Sequence, residues 1–185
     1  MPRNRKLDRN FFARGADAVA RDLLGKVLVR RFSDGSSREG IITETEAYLG
    51  VKDLACHAAG GRRTKRTEVM YGRAGYAYIY LVYGMHWMLN VICSTVGDPQ
   101  AVLIRGLNVA DGPARLTKFL KINKGLNCED LAESKRLFLE DRGIKVEDGK
   151  VETTSRIGVD YAGDWKDKPL RFADPLNKLK PRDIL

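Results

Sequence analysis

Cysteine is scarce in this 185-residue chain, and its three cysteines are far apart. Cys56, Cys93 and Cys128 form no CxxC pair, so the sequence indicates neither a disulfide framework nor a zinc site. A chain without disulfides suits a reducing intracellular compartment. The N-terminal segment MPRNRKLDRN is basic but lacks the apolar core of a signal peptide. We therefore expect an intracellular protein that is not secreted.

Charge is absent from one long stretch, residues 75–97, although charged residues make up 31% of the chain. A stretch of that length would suit a membrane helix. Its tyrosines instead recur with a period of two, at Tyr76, Tyr78 and Tyr80. Tyr83 and Gly84 then interrupt it near its middle, as a turn would. The pattern predicts two strands joined by a tight turn, with aromatic residues on one face and at the tip.

Acidic residues are outnumbered by basic ones, 24 to 33, which gives a formal charge of +9 and a pI near 9.6. Such a balance favours a polyanionic partner, either nucleic acid or an anionic membrane surface. The alternative is that lysine and arginine simply solvate the surface. With 43% hydrophobic residues, the chain is long enough to bury a core as one domain.

The pattern along the chain predicts a mixed α/β domain in which hairpins favour an antiparallel sheet. Residues 1–9 are expected to form a flexible basic arm, and residues 10–185 a single domain. Residues 50–74 are polar and rich in glycine, as in a long loop. Helices are predicted at 17–24, 114–122 and 130–140. Besides the central hairpin, strands are predicted at 26–32, 39–49, 101–105, 156–159 and 169–172.

The strand ITETEAY is the first place where chemistry could lie. Alternation puts Ile42, Glu44, Glu46 and Tyr48 on one face, and Thr43, Thr45 and Ala47 on the other. Two carboxylates and a phenol on one face could form an acid–base site, or they could be the solvent face of a sheet. An acidic pair inside a basic, polyanion-binding protein is counterproductive unless a carboxylate has a chemical role.

The polar segment after this strand offers two further candidates. His57 is one of only two histidines and could return towards the carboxylate face, although a lone loop histidine is more often a surface or capping residue. A basic cluster interleaved with threonine follows it and could contact phosphates, or could be a solvated run of charge. The cluster comprises Arg62, Arg63, Lys65 and Arg66.

The predicted hairpin adds aromatic and polar candidates. Tyr78 and Tyr80 share a face and could stack on a base, although interior strand tyrosines more often pack in the core. Tyr83, beside Gly84 at the turn, should project from the tip, which suggests a wedge between base pairs. Asn90 follows an apolar run and needs partners if buried. Arg105 ends a later apolar strand and needs an anion or ordered water.

Motifs in chain order carry a resemblance to one family. They are ITETEAYLG, His57, GYAYIYLVYGMHWMLN, VLIR, GPARL, and RIGVDYAGDW followed by KPLRF. They run from about Phe11 to Phe172 and resemble the alkyladenine (3-methyladenine) DNA glycosylase family. Three departures stand out: residues 106–111 are shorter than in the family, His86 and Trp87 replace a more usual aromatic after the turn, and Arg115 stands where lysine is usual.

The resemblance implies roles for named residues. Glu46 would be the general base that activates the attacking water, and Arg105 would help to position that water. Tyr83 would fill the gap in the duplex, Asn90 would help to reject guanine, and Arg115 would contact a phosphate. The pocket for the flipped base would comprise Tyr48, His57, Tyr80, Asn90 and Leu103.

The resemblance also implies an α+β fold, with one compact mixed domain, a curved antiparallel sheet and a protruding hairpin that inserts into DNA. The implied enzyme is monofunctional, monomeric and free of cofactor and metal. It would remove 3-methyladenine, 7-methylguanine or hypoxanthine from double-stranded DNA in the nucleus or nucleoid, leave an abasic site, and have no membrane partner. The alternative is a non-catalytic nucleic-acid-binding module with an aromatic stacking face. Glu46 distinguishes the two, because a pure binder gains nothing from a carboxylate near phosphates.

Overall fold

A ten-stranded antiparallel sheet is the largest element of this computed structural model, which describes residues 5–146 and 148–175. Its strands are β1 (Arg5–Lys6), β2 (Val27–Arg31), β3 (Ser37–Tyr48), β4 (Ala77–Val82), β5 (His86–Cys93), β6 (Gln100–Leu107), β7 (Ala110–Asp111), β8 (Leu137–Asp141), β9 (Glu152–Thr154) and β10 (Arg171–Ala173). The α-helices in these ranges are α1 (Arg9–Phe12), α2 (Ala16–Asp22) and α3 (Pro113–Phe119). Short 3₁₀ segments lie at Gly50–Lys52, Ala59–Gly61, Glu68–Tyr71, Lys124–Leu126, Asp148–Lys150 and Asp160–Asp167.

The main path of the sheet runs β1-β8-β2-β3-β6-β5-β4, with β10 beside β3 and β9, and β7 beside β6. The longest strand, β3, changes partners along its length. Its first half pairs with β2, and its second half lies between β6 and β10. The second half of β3 therefore has no free edge, and its carboxylates, Glu44 and Glu46, are both buried.

A register shift in β3 breaks the simple alternation that the sequence suggests. The pairing with β6 is irregular between Ile42 and Thr45. Ile42 consequently packs in the main core together with Ala47, whereas alternation would put these two on opposite faces. Beyond the irregularity the alternation holds, because the Tyr48 hydroxyl donates to Glu46 Oε2 over 2.9 Å.

The two faces of the sheet are covered differently. Helix α2 packs its buried Val19 and Ala20 into the main core, and Thr45 Oγ1 donates to the carbonyl oxygen of Ala20 over 2.8 Å. A second cluster contains Tyr78, with residues of the 50–74 segment and of β5 and β6. The predicted polar loop thus contributes to a separate apolar cluster beside the aromatic strand.

The uncharged stretch forms the predicted hairpin, β4 and β5, with Tyr83 and Gly84 in the turn at φ 52° and 70°. Positive φ at both positions matches the twist of paired strands, and Met85 N donates to the carbonyl oxygen of Val82 over 3.1 Å. Across residues 5–146 and 148–175, no helix is long and apolar enough to cross a membrane.

Two of the predicted elements are wrong. Residues 130–140 form turns followed by strand β8 instead of a helix, because Leu137 and Leu139 enter the main core while Phe138 packs with Val27 and Val29 in another cluster. A strand buried on both faces has no helical periodicity to satisfy. Residues 156–159 are loop, and the strand in that region is β9, just before it.

The expected flexible arm, residues 1–9, is partly taken up by the fold. Arg5 and Lys6 pair with β8, Leu7 is buried with its N–H donating to the carbonyl oxygen of Leu139, and Arg9 begins α1. Burial of the Leu7 side chain stabilises the packing of this segment against the domain, which its basic composition does not predict. Residues 1–4 of the arm, and residues 176–185 of the expected domain, lie outside the described residues. The other predicted helices and strands correspond to α2, α3, β2, β3, β6 and β10.

Candidate active site

A cavity of about 510 Å³ opens beside the second half of β3. Five parts of the chain line it: strand β3, the segment of residues 50–74, the β4–β5 hairpin with β6, the start of α3, and the loop of residues 157–161. The pocket residues that the family resemblance implies lie together here. Lining the cavity are Glu46, Tyr48, His57, Tyr80, Asn90, Leu103 and Arg105, with Tyr83 at the turn of the hairpin.

Glu46 lies at the floor of this cavity and is fully buried. Its Oε1 accepts a hydrogen bond of 2.8 Å from Ile157 N and lies 3.3 Å from a guanidinium nitrogen of Arg105. Its Oε2 accepts the Tyr48 hydroxyl bond. Burial raises the pKa of Glu46, while Arg105, Ile157 N–H and Tyr48 act in the opposite direction. The result is a buried carboxylate with a raised proton affinity that faces an open space.

Arg105 is held between two carboxylates. Its Nε donates to Glu44 Oε1 over 3.0 Å, and that same oxygen accepts from Arg171 over 2.9 Å. Burial acts to lower the pKa of Arg105, but Glu46 and Glu44 outweigh it and hold the pKa above its ordinary value. The two glutamates of β3 therefore differ in surroundings: Glu46 lines the cavity, and Glu44 fixes the two arginines and does not line it.

The wall of the cavity is aromatic. The rings of His57 and Tyr80 meet edge-on with centroids 4.7 Å apart, and Tyr78 and Tyr80 lie 5.1 Å apart. His57 Nδ1 shares a hydrogen bond of 2.9 Å with the Tyr78 hydroxyl. Burial, with help from Arg66 and Arg62, lowers the pKa of His57 to about 4. His57 is therefore neutral at neutral pH and has no imidazolium proton to donate there.

Asn90 and Leu103 are directly opposite each other in the pairing of β5 with β6, and both border the cavity. Asn90 is almost completely buried, and its Nδ2 donates to the carbonyl oxygen of Tyr78 over 3.2 Å. A buried amide held in this way has a fixed orientation. Its position on β5 makes it one of the hairpin residues, with Tyr80, that line the same cavity as Glu46.

Tyr83 extends from the tip of the hairpin and is 87% exposed. The side chains that flank it belong to different surfaces: Val82 lines the cavity, whereas Met85, two residues after Tyr83, borders a second groove, between β5 and α3. An aromatic side chain that gains nothing from exposure to water is typical of an interaction surface.

The basic cluster lies at the rim of the cavity, and its members differ in their contacts. Arg63 pairs with Glu68 at 2.6 Å, whereas Arg66 extends over the Tyr80 ring with its guanidinium carbon 4.8 Å from the centroid. Of the cluster, only Arg66 lines the cavity; Arg62 and Lys65 are exposed beside it. Arg115 is not brought to this site, because α3 carries it to the second groove.

Sequence reasoning missed a buried ion pair behind the cavity. Arg156 donates to Asp53 through two nitrogens, at 2.5 and 2.9 Å, and also to the carbonyl oxygen of Ala47. Its guanidinium carbon lies 4.8 Å from the centroid of the Tyr48 ring, although Arg156 itself does not line the cavity. The residue after it is Ile157, whose N–H reaches Glu46. No sequence pattern relates Arg156 to Asp53, because the two residues are 103 positions apart.

Tyr161 was also missed. It is exposed at the rim of the cavity, and its hydroxyl donates to the carbonyl oxygen of Ala55 over 3.3 Å. Within the described ranges, no group of three histidine, cysteine or acidic side chains could hold a metal ion. Cys56 and Cys93 are buried as free thiols, and Cys128 is exposed.

Comparison with known proteins identifies a family and individual proteins to which the chain is similar. A family model described as Methylpurine-DNA glycosylase (MPG) matches residues 10–112 and 107–178. A Clostridium botulinum protein (strain Langeland) named "Putative 3-methyladenine DNA glycosylase" is 41% identical over 90% of this chain and 94% of its own length. A Desulfitobacterium hafniense protein of the same name is 40% identical over 91% of this chain and 94% of its own length.

Proposed function

The chain belongs to the methylpurine-DNA glycosylase family and is a DNA glycosylase, and we propose that it releases alkylated purines from duplex DNA by hydrolysis. The proposed substrates are 3-methyladenine, 7-methylguanine and, more slowly, hypoxanthine. The relatives named above support the first of these by their names. The enzyme acts as a monomer on double-stranded DNA and leaves an abasic site.

The observation that carries this proposal is the burial of Glu46 at the floor of an aromatic cavity, beside Arg105. A water molecule adjacent to Glu46 attacks C1′ of the sugar, and its proton passes to the carboxylate. The C1′–N bond breaks, and its electron pair leaves with the base. Positive charge develops on the sugar during this step, and the carboxylate also stabilises that charge.

Arg105 has two functions in this scheme. It orients the water next to Glu46, and it favours the ionised form of Glu46 by opposing the rise in pKa that burial causes. Glu44 and its bond to Arg105 set the direction of the guanidinium. Glu44 is therefore a positioning residue, because it lines no part of the cavity.

A base inside a duplex must be extruded to reach this cavity, and unstacking costs a few kcal/mol. Tyr83, 87% exposed at the hairpin tip, enters the duplex and stacks where the base had been, which offsets part of that cost. The flipped base lies between Tyr48 on one side and His57 and Tyr80 on the other.

Methylation at N3 or N7 makes a purine cationic, and the electron-rich rings favour such a base by about 0.5–2 kcal/mol per good contact. The fixed amide of Asn90, with Leu103 opposite, limits the space for the exocyclic amine of guanine. Charge and shape therefore select together for alkylated purines.

The order of substrates follows from the leaving group. A cationic base leaves as a neutral molecule and needs no proton, whereas hypoxanthine needs a proton donor. His57, with its pKa of about 4, is neutral at neutral pH and cannot be that donor. We therefore place hypoxanthine last. No residue that lines the described cavity is a lysine, which supports water as the nucleophile and simple base removal without strand cleavage.

The test is incubation of the protein with duplexes that carry one 3-methyladenine, 7-methylguanine or hypoxanthine. We expect free base in the supernatant, and a strand that stays intact until alkali cleaves the abasic site. An undamaged duplex is the control. Specific binding to the damaged duplex without release of base would instead identify a non-catalytic binding module.

A further inference from the structure

Basic side chains are present on both sides of the hairpin tip. On the cavity side are Arg62, Lys65 and Arg66, none of which pairs with a carboxylate of the described residues. On the opposite side, Arg115 and Lys118 of α3 likewise have no carboxylate partner among the described residues. Many arginines elsewhere are paired, for example Arg142 with Glu39 and Glu140. Cations without a carboxylate partner among the described residues are thus present on both sides of the tip.

A second cavity, of about 580 Å³, lies between β5 and α3 on the side of the hairpin away from Glu46. Its polar rim is basic, and no acidic residue of the described ranges lines it. The groove is well anchored, because Thr117 Oγ1 of α3 donates to the carbonyl oxygen of Trp87 on β5 over 2.9 Å. Its principal residues are Met85, His86, Trp87, Arg115, Lys118 and Lys121.

We propose that this groove binds the sugar–phosphate backbone of the DNA strand complementary to the lesion, a role that rests on the proposed function. The lesion leaves the duplex on the cavity side of Tyr83, so the damaged strand lies on that side. The strand across the wedge then lies on the other side, where Met85 and His86 lead into the groove. Phosphates provide the anions that Arg115 and Lys118 lack.

Lys121 contributes less to this surface than its two neighbours. Its ammonium extends over the Phe32 ring at 5.4 Å, and it also interacts electrostatically with Asp34. Arg115 and Lys118 are therefore the residues to change. Both are exposed on the helix, so glutamine removes charge without loss of helix propensity.

The experiment measures affinity for DNA as a function of salt, with a tetrahydrofuran abasic analogue that no glycosylase can cleave. The groove variant is Arg115→Gln/Lys118→Gln. Its matched control is Arg5→Gln/Lys135→Gln, which removes the same two charges near β1 and β8 at the other end of the sheet. Each protein is tested on the duplex and on the damaged strand alone.

For the duplex, the logarithmic salt slope of the groove variant should be smaller in magnitude by about 1.8, because two phosphate contacts are lost. Its slope on the single strand, and both slopes of the control, should equal those of the wild type. A short run of neutral methylphosphonates in the complementary strand should weaken the wild type but not the groove variant. The same run in the damaged strand should weaken both equally.

An unchanged duplex slope, or an equal loss on the single strand, would show that the groove does not bind the complementary strand. The same conclusion would follow if methylphosphonates changed the affinities of the wild type and the groove variant differently only when they were placed in the damaged strand. Release of base by the wild type is measured separately. If only this inference is wrong, the wild type still releases base. If the proposed function is wrong, the wild type releases none.

Discussion

The buried pair of Arg156 and Asp53 should control the acid–base behaviour of Glu46, although neither residue touches the cavity. Both side chains are completely buried, and the pair holds the loop whose Ile157 N–H donates to Glu46 over 2.8 Å. That bond lowers the pKa of Glu46. The substitution Arg156→Lys keeps the charge, but one ammonium group cannot reproduce the two-nitrogen contact with Asp53.

The expected cost in stability comes from the geometry of the pair. Asp53→Asn leaves the Arg156 guanidinium buried without its carboxylate, which costs about 3–5 kcal/mol for a pair of this kind. At about 2–4 °C per kcal/mol for a domain of this size, Tm should fall by about 6–20 °C. Arg156→Lys should cost less, because the positive charge near Asp53 remains, and this makes it the variant for kinetics.

The assay is the pH dependence of kcat for release of 3-methyladenine. If the loop loosens in Arg156→Lys, the bond from Ile157 N–H weakens and the pKa of Glu46 rises, so the acid limb moves to higher pH. Arg9→Lys is the matched control, because Arg9 pairs with Asp130 at a distance from the cavity; its acid limb should not move. A lowered Tm in Arg156→Lys with an unmoved acid limb would refute the positioning role.

Three further results follow from the site. Burial raises the pKa of Glu46, so ionisation of Glu46 destabilises the fold as the pH rises through that pKa. Glu46→Gln should therefore raise Tm at neutral pH, and this increase in Tm should become smaller as the pH is lowered. An increase that grew on acidification would contradict the raised pKa. Tyr83→Ser should leave Tm unchanged and weaken binding to a damaged duplex by about 1–3 kcal/mol; unchanged excision of a paired lesion would exclude the wedge. Asn90→Ala should increase release of undamaged guanine, and no increase would remove its role in selection.

Much of the fold could be predicted because local patterns decide it. A period of two and a Tyr83-Gly84 turn predict the hairpin whatever surrounds it, and the fold class is confirmed. Alternation also predicts that Glu46 and Tyr48 share a face, which their hydrogen bond confirms. The failures are at positions where tertiary packing decides, as in residues 130–140, where burial on both faces of β8 prevails over a helical pattern.

The site was predictable only in part, for a related reason. The cavity residues belong to strands whose faces can be read from alternation, or to motifs that carry the family resemblance. Arg156 and Asp53 are separated by 103 positions, and no local pattern relates them. The different surroundings of Glu44 and Glu46 were likewise not predicted by the strand pattern, because they depend on Arg105 and Arg171, which belong to other strands.

The most direct test of the central claim, that Glu46 activates the water, compares Glu46→Gln with Glu44→Gln in release of 3-methyladenine from a duplex. Glu46→Gln should bind an abasic-analogue duplex as the wild type does, yet lose about 10²–10⁴-fold in release, the range for a general base. Glu44→Gln keeps an acceptor for Arg105 and Arg171 and should retain release. Full release by Glu46→Gln, or equal loss in both variants, would contradict the assignment.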